Sequence, residues 1–138
     1  MTATPYIMFN GQCEEALHFY AAALGGEVSE LSRYSDSPAE GPKVEGDKVL
    51  HAHLLVQGQP LLMASDSGFP EAGPEGSGAV HLSLNFTSEA EQEAAFQALA
   101  QNGKVNMPLQ DTFWGARFGM LTDQYGINWM FNYDRPQQ

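Results

Sequence analysis

The chain has 138 residues, with seventeen acidic against six basic side chains and a net charge of −11. That field repels phosphate backbones and anionic headgroups, so nucleic acid and membrane surfaces are not expected partners. Hydrophobic content of 43% and aromatic content of 11% exclude a disordered chain.

In chain order, Met-Thr-Ala-Thr-Pro-Tyr shows neither a basic nor a long apolar leader region, which predicts a cytoplasmic location. Tyr6 to Phe9 reads as a short apolar strand. Asn10 is expected to cap the helix that follows, and Glu14 and Glu15 suit its positive end. Ala16, Phe19, Tyr20 and Ala23 recur at helical spacing until Gly25-Gly26 stops the helix. The lone Cys13 forbids an internal disulfide, fits a reducing compartment and is expected to gain thiolate character from the helix end. Strands are predicted over Val28–Tyr34, Lys48–Val56 and Pro60–Ser65. Two turn-rich, acidic stretches, Ser35–Asp47 and Asp66–Gly78, read as loops, the second as a linker. Beyond it, Ser88-Glu89-Ala90-Glu91 is a capping-box pattern, Phe96, Leu99 and Ala100 form a stripe, and Asn102-Gly103 ends the second helix. Strands Lys104–Pro108, Arg117–Asp123 and Ile127–Tyr133 follow. Gln57-Gly58 and Gln124-Tyr125-Gly126 join the last two strands of each half as hairpins.

The halves repeat. At an offset of 77 residues, Phe9 falls on Phe86, Glu14 on Glu91, Phe19 on Phe96, Ala21 on Ala98, Gly26 on Gly103 and Val28 on Val105. The order of elements is βαβββ, twice, predicting an α+β fold with modules 1–67 and 68–138 in one compact domain. Pairing two such sheets would leave a concave trough for a ligand.

That duplicated pattern resembles the vicinal oxygen chelate superfamily, which includes glyoxalase I, extradiol dioxygenases and bleomycin-resistance proteins. The resemblance is narrower still to its PhnB-like branch. It rests on Pro5-Tyr6 with Phe9-Asn10-Gly11, Glu15-Ala16 with Phe19-Tyr20, Gly25-Gly26-Glu27, Val49-Leu50-His51-Ala52 and Ser65-Asp66. The most specific segments are Thr112-Phe113-Trp114-Gly115-Ala116-Arg117-Phe118-Gly119 and Asp123-Gln124-Tyr125-Gly126-Ile127-Asn128-Trp129. Such proteins often carry a demethylubiquinone-methyltransferase label, yet no glycine-rich strand-to-helix turn suited to S-adenosylmethionine is present.

Metal-dependent members hold one ligand on the first and one on the last strand of each half. By order of elements those positions fall near Thr4 to Tyr6, at Leu62, at His81 and at Met130. Only His81 binds a hard divalent ion well, since leucine has no lone pair and a thioether is a soft donor. The resemblance therefore implies the fold without its usual metal centre, and no cofactor is expected. A displaced metal at His51, His53 and His81 is the alternative, because an alternating His-x-His pair shares one side of a strand.

On the period-two rule Tyr6, Met8, Ala64, Ser83, Asn85 and Asn132 alternate toward the trough. With Leu62, His81, Trp114, Arg117 and Met130 they make the expected pocket. Arg117, alone among apolar and aromatic neighbours, needs an anion. It would either grip a carboxylate, phosphonate or phosphate on a ligand, or pair with Asp66, Asp111 or Asp123. Trp114 and Trp129 would fill core or dimer interface.

Two functions remain open at this point. One is a homodimeric, metal-independent protein that sequesters a small anionic or aromatic molecule, as resistance-type relatives do. The other is a metal-dependent lyase, isomerase or dioxygenase.

Overall fold

The computed structural model describes residues 1–36, 46–66 and 78–136. Most of both predicted loop stretches lies outside these residues. The chain forms two compact units, Met1–Pro74 and Glu75–Gln138. The first contains β1 (Tyr6–Phe9), α1 (Cys13–Leu24), β2 (Gly26–Arg33), a short 3₁₀ turn (Tyr34–Asp36), β3 (Val49–Val56) and β4 (Gln59–Asp66). The second contains β5 (Leu82–Phe86), α2 (Glu89–Leu99), β6 (Lys104–Asp111), β7 (Ala116–Thr122) and β8 (Asn128–Asp134). Each unit is thus βαβββ, and the fold is α+β, as expected.

The sheets have matching topology, β1-β4-β3-β2 and β5-β8-β7-β6. In each, the first strand pairs in parallel with the last, and the remaining pairs are antiparallel. In the first unit α1 covers one face, burying Ala16, Leu17 and Tyr20 among Phe9, Val49, Ala52, Leu54, Leu62 and Ala64. In the second, α2 sets Ala95, Phe96 and Leu99 over Trp129 and Phe131, and the Phe96 and Phe131 rings meet edge-on at 5.0 Å. Among the described residues, the opposite face of each sheet carries no helix of its own unit.

Local chemistry explains the boundaries. Ser88 Oγ accepts the Glu91 amide at 3.2 Å, the cap expected of that segment. The first helix departs from expectation. Its N-cap is Gln12, not Asn10, and the Gln12 side chain makes no capping bond. Asp66, far along the chain at the end of β4, takes over by accepting the Cys13 amide. Gln57 and Gly58 both have positive φ (54° and 76°), the signature of a tight two-residue hairpin turn. Strand β6 runs on through Pro108 to Asp111, which is tolerated because β6 is a sheet edge. Gly26 and Gly103, equivalent in the repeat, share a structural reason. A Cβ on either would press into a neighbouring strand's carbonyl, that of Leu55 or of Thr122.

Candidate functional site

Strand register decides which expected residues share a face. Tyr6 pairs with Met63, and Met63 with His53. Tyr6, Met8, His51, His53 and Met63 therefore occupy the open face of the first sheet. Leu62 and Ala64 do not. They pair with Leu54 and Ala52 on the opposite face and are fully buried beneath α1, so both leave the expected pocket. The open-face neighbours of Leu62 on β4 are Leu61 and Met63, again without a hard donor.

In the second sheet, Ser83 pairs with Met130, Asn85 with Asn132 and Met120 with Met130. These lie on its open face with Phe118, opposite the buried Trp129 and Phe131. His81 precedes β5, and its Nδ1 is shielded from solvent and has no hydrogen-bond partner among the described residues. Trp114 sits in the β6–β7 turn beside Phe113, largely exposed at 59%, and fills no core within its own unit.

Arg117 is on the helix side. Its Nη2 contacts Glu93 Oε2 at 3.0 Å and its Nη1 donates to Gln92 Oε1 at 3.3 Å. Glu89 lies 3.6 Å from its Nε. The expected structural partners are aspartates, but the first two turns of α2 supply glutamates instead. With its guanidinium held this way, Arg117 is not presented on the face of Ser83, Asn85 and Met130. The buried Gln92 completes the link by donating to the Arg117 carbonyl at 2.8 Å.

A polar cluster runs across the open face of the first sheet. Tyr6 Oη lies 3.3 Å from His51 Nδ1, His51 Nε2 lies 2.7 Å from His53 Nε2, and His53 Nε2 lies 3.4 Å from Glu30 Oε2. The histidines were legible as an alternating pair, but their carboxylate was not. Ser29 pairs with His53 and Ser32 with His51, so Glu30 and Leu31 together oppose one residue of β3. This bulge, with Glu30 at φ 53°, turns toward His53 a side chain that regular alternation would aim at α1. A non-glycine residue there carries strain of about 1–2 kcal/mol.

Metal chemistry does not fit these donors. The last-strand positions carry Leu62, or its neighbours Leu61 and Met63, and Met130. Two nitrogens on one tetrahedral zinc, each about 2.0–2.1 Å away, stand more than ~3 Å apart, whereas the His51–His53 contact is a hydrogen-bond length. His81 belongs to the other unit. Among the described residues no group of three or more His, Cys, Asp or Glu side chains is arranged to hold a metal ion.

Cys13 is not activated by its helix end. Burial pushes its thiol well above the ordinary range, and the nearby Asp66 and Glu14 charges add to the effect. Among the described residues, no helix is long and apolar enough to cross a membrane.

Comparison with known proteins agrees with this architecture. Residues 3–131 match the family model of the Glyoxalase/Bleomycin resistance protein/Dioxygenase superfamily. Protein YjdN of Escherichia coli is 31% identical over 99% of this chain and 98% of its own length. The crystal structure of protein PA1353 from Pseudomonas aeruginosa has a TM-score of 0.85 at 43% identity, covering 99% of both chains. The PhnB protein of Bacillus cereus has a TM-score of 0.79 at 32% identity, covering 96% of this chain and 99% of its own. The chain belongs to the glyoxalase, bleomycin-resistance and dioxygenase superfamily, in its PhnB-like branch.

Proposed function

We propose that this chain is a cytoplasmic, homodimeric small-molecule-binding protein that keeps the superfamily fold without the superfamily's usual metal centre. The observation that carries the reading is the chemistry of the last strands, where hydrocarbon and thioether side chains stand in place of oxygen and nitrogen ligands. The open face of β1, β3 and β4 supports it. Tyr6 and Met8, each 45% exposed, lie there with Met63 beside the histidine pair. Thioethers suit a polarisable, aromatic occupant. The anionic alternative loses its strongest support with Arg117, whose charge is taken up by Glu89 and Glu93.

A thermal-shift screen of small aromatic and carboxylate compounds on untagged protein tests the reading. Ligands that bind only the folded state raise its melting temperature. Stabilisation by aromatic compounds, unchanged by a chelator, is the expected result. No stabilisation by any class, or stabilisation that a chelator abolishes, would contradict it.

A further inference from the structure

We infer that Met107, Met120 and Met130 form a site for one soft monovalent metal ion, of the copper(I) and silver(I) class, on the open face of the second sheet. The site is independent of the small-molecule reading above, and its ion is chemically unlike the hard divalent ions of the superfamily.

Strand register builds the site. Met107 pairs with Met120 and Met120 with Met130, so three thioether side chains stand in one row across β6, β7 and β8. Directly opposed Cβ atoms lie about 4.5–5.5 Å apart in such a row. Methionine's three rotatable bonds let neighbouring sulfurs turn toward a shared point. Met107 joins the row only because β6 is irregular. Val105 pairs with Leu121 while Met107 pairs with Met120, so Asn106 is an extra residue on β6. Regular alternation from Val105 would set Met107 opposite Gly119, on the side of the buried Leu121. The bulge carries it to the open face instead. At the repeat offset of 77 residues Met107 falls on Glu30, which also reaches its open face through a bulge. The same irregularity thus presents an oxygen donor in the first unit and a sulfur donor in the second.

The choice of sulfur selects the occupant. The faces beneath the helices are filled by leucine, phenylalanine, tryptophan and alanine, with no methionine among their buried residues. A plain apolar wall gains nothing from sulfur, since leucine has nearly the same volume and better-defined rotamers. Thioethers favour soft ions such as copper(I), whereas carboxylate, carbonyl and water suit the hard ones. The flanking rows, through Phe118 and Asn132 and through Thr122 and Asn128, are neutral apart from Lys104 at the exposed strand edge. The chain's net charge of −11 draws a cation toward this face. All three methionines are half-buried, which leaves them open to an entering ion.

Silver(I) nitrate in chloride-free, thiol-free buffer is the probe, read by the methyl shifts of the whole chain labelled at methionine. The methyls of Met107, Met120 and Met130 should move together and saturate at one ion per chain, while zinc moves none of them. Changes around metal ligands weaken binding by about 10–100-fold, so Met120→Leu, which removes the central sulfur at similar volume, should cost at least about tenfold. Met107→Leu, on the edge strand, gives the same reading should Met120→Leu fail to fold. Met8→Leu on the first sheet should leave the titration unchanged. Cys13→Ala should also leave it unchanged, which removes the thiol as the silver site. Shifts that do not saturate at one equivalent, binding indifferent to both row variants, or uptake lost in Cys13→Ala would overturn the inference.

Discussion

Asp66 Oδ1 accepts the backbone N–H of Cys13 at 2.9 Å across 53 residues of chain. The other carboxylate oxygen accepts the Val49 amide, also at 2.9 Å, so one buried side chain caps α1 and anchors the start of β3. In Asp66→Asn the amide turns an N–H₂ toward one of these donors and the charge is lost. Charge-assisted hydrogen bonds contribute about 1.5–3 kcal/mol each, so a loss of about 2–4 kcal/mol in urea unfolding is expected. A change below about 0.5 kcal/mol would show that the clamp is not structural.

Arg117 performs the comparable task in the second unit, tying α2 to β7. Its side chain is only 17% exposed, and the two glutamates and Gln92 that surround it would lose their cation in Arg117→Met. The variant should fold with stability reduced by about 1–3 kcal/mol and bind the same small molecules as the parent. Unchanged stability with lost binding would return Arg117 to the ligand.

Cys13 is fully buried, and its thiol titrates well above the ordinary range. Iodoacetamide at pH 8 should leave it unmodified in the native protein and label it fully in urea. The linkage has a definite sign. Above the ordinary thiol range the unfolded chain has released a proton that the native chain keeps, so this group lowers stability as pH rises there. Rapid native labelling, read by mass spectrometry, would contradict the buried position.

Glu14 is held below the ordinary carboxylate range first by its hydrogen bonds to Arg33, at 2.8 and 3.1 Å. A depressed carboxylate contributes stability that is present above the unfolded value and lost as pH falls through the folded one. Glu14→Gln should therefore melt slightly below the parent at pH 7, and the gap should close in acid. The effect is small because the carboxylate is 42% exposed and solvent screens the pair. An equal gap at pH 7 and pH 3 would contradict the ion pair as its source.

Much of the architecture was legible because the repeat is written in strong local signals. Ser88 caps, Gln57-Gly58 turns, and Gly26 and Gly103 recur where strands approach too closely for a side chain. What escaped was set by register and long-range contact. Leu62 and Ala64 fall beneath α1 because the pairing of β3 with β4 assigns them that face, which alternation within β4 alone leaves undecided. The bulge that brings Glu30 to His53 has no glycine to announce it, so the histidine pair lacked its carboxylate until the chain was folded. Asp66 as a cap for Cys13 was equally hidden, since no local pattern spans that distance. The apolar setting of Arg117 announces its need for an anion, but not that α2 provides it from Glu89 and Glu93.

If hydrocarbon and thioether side chains on the last strands exclude the superfamily's usual ion, the purified protein takes up none. Elemental analysis of untagged protein, prepared without chelators and passed through gel filtration after incubation with zinc, nickel and manganese, measures this directly. The expected result is far less than one ion per chain. One tightly held ion per chain would contradict it.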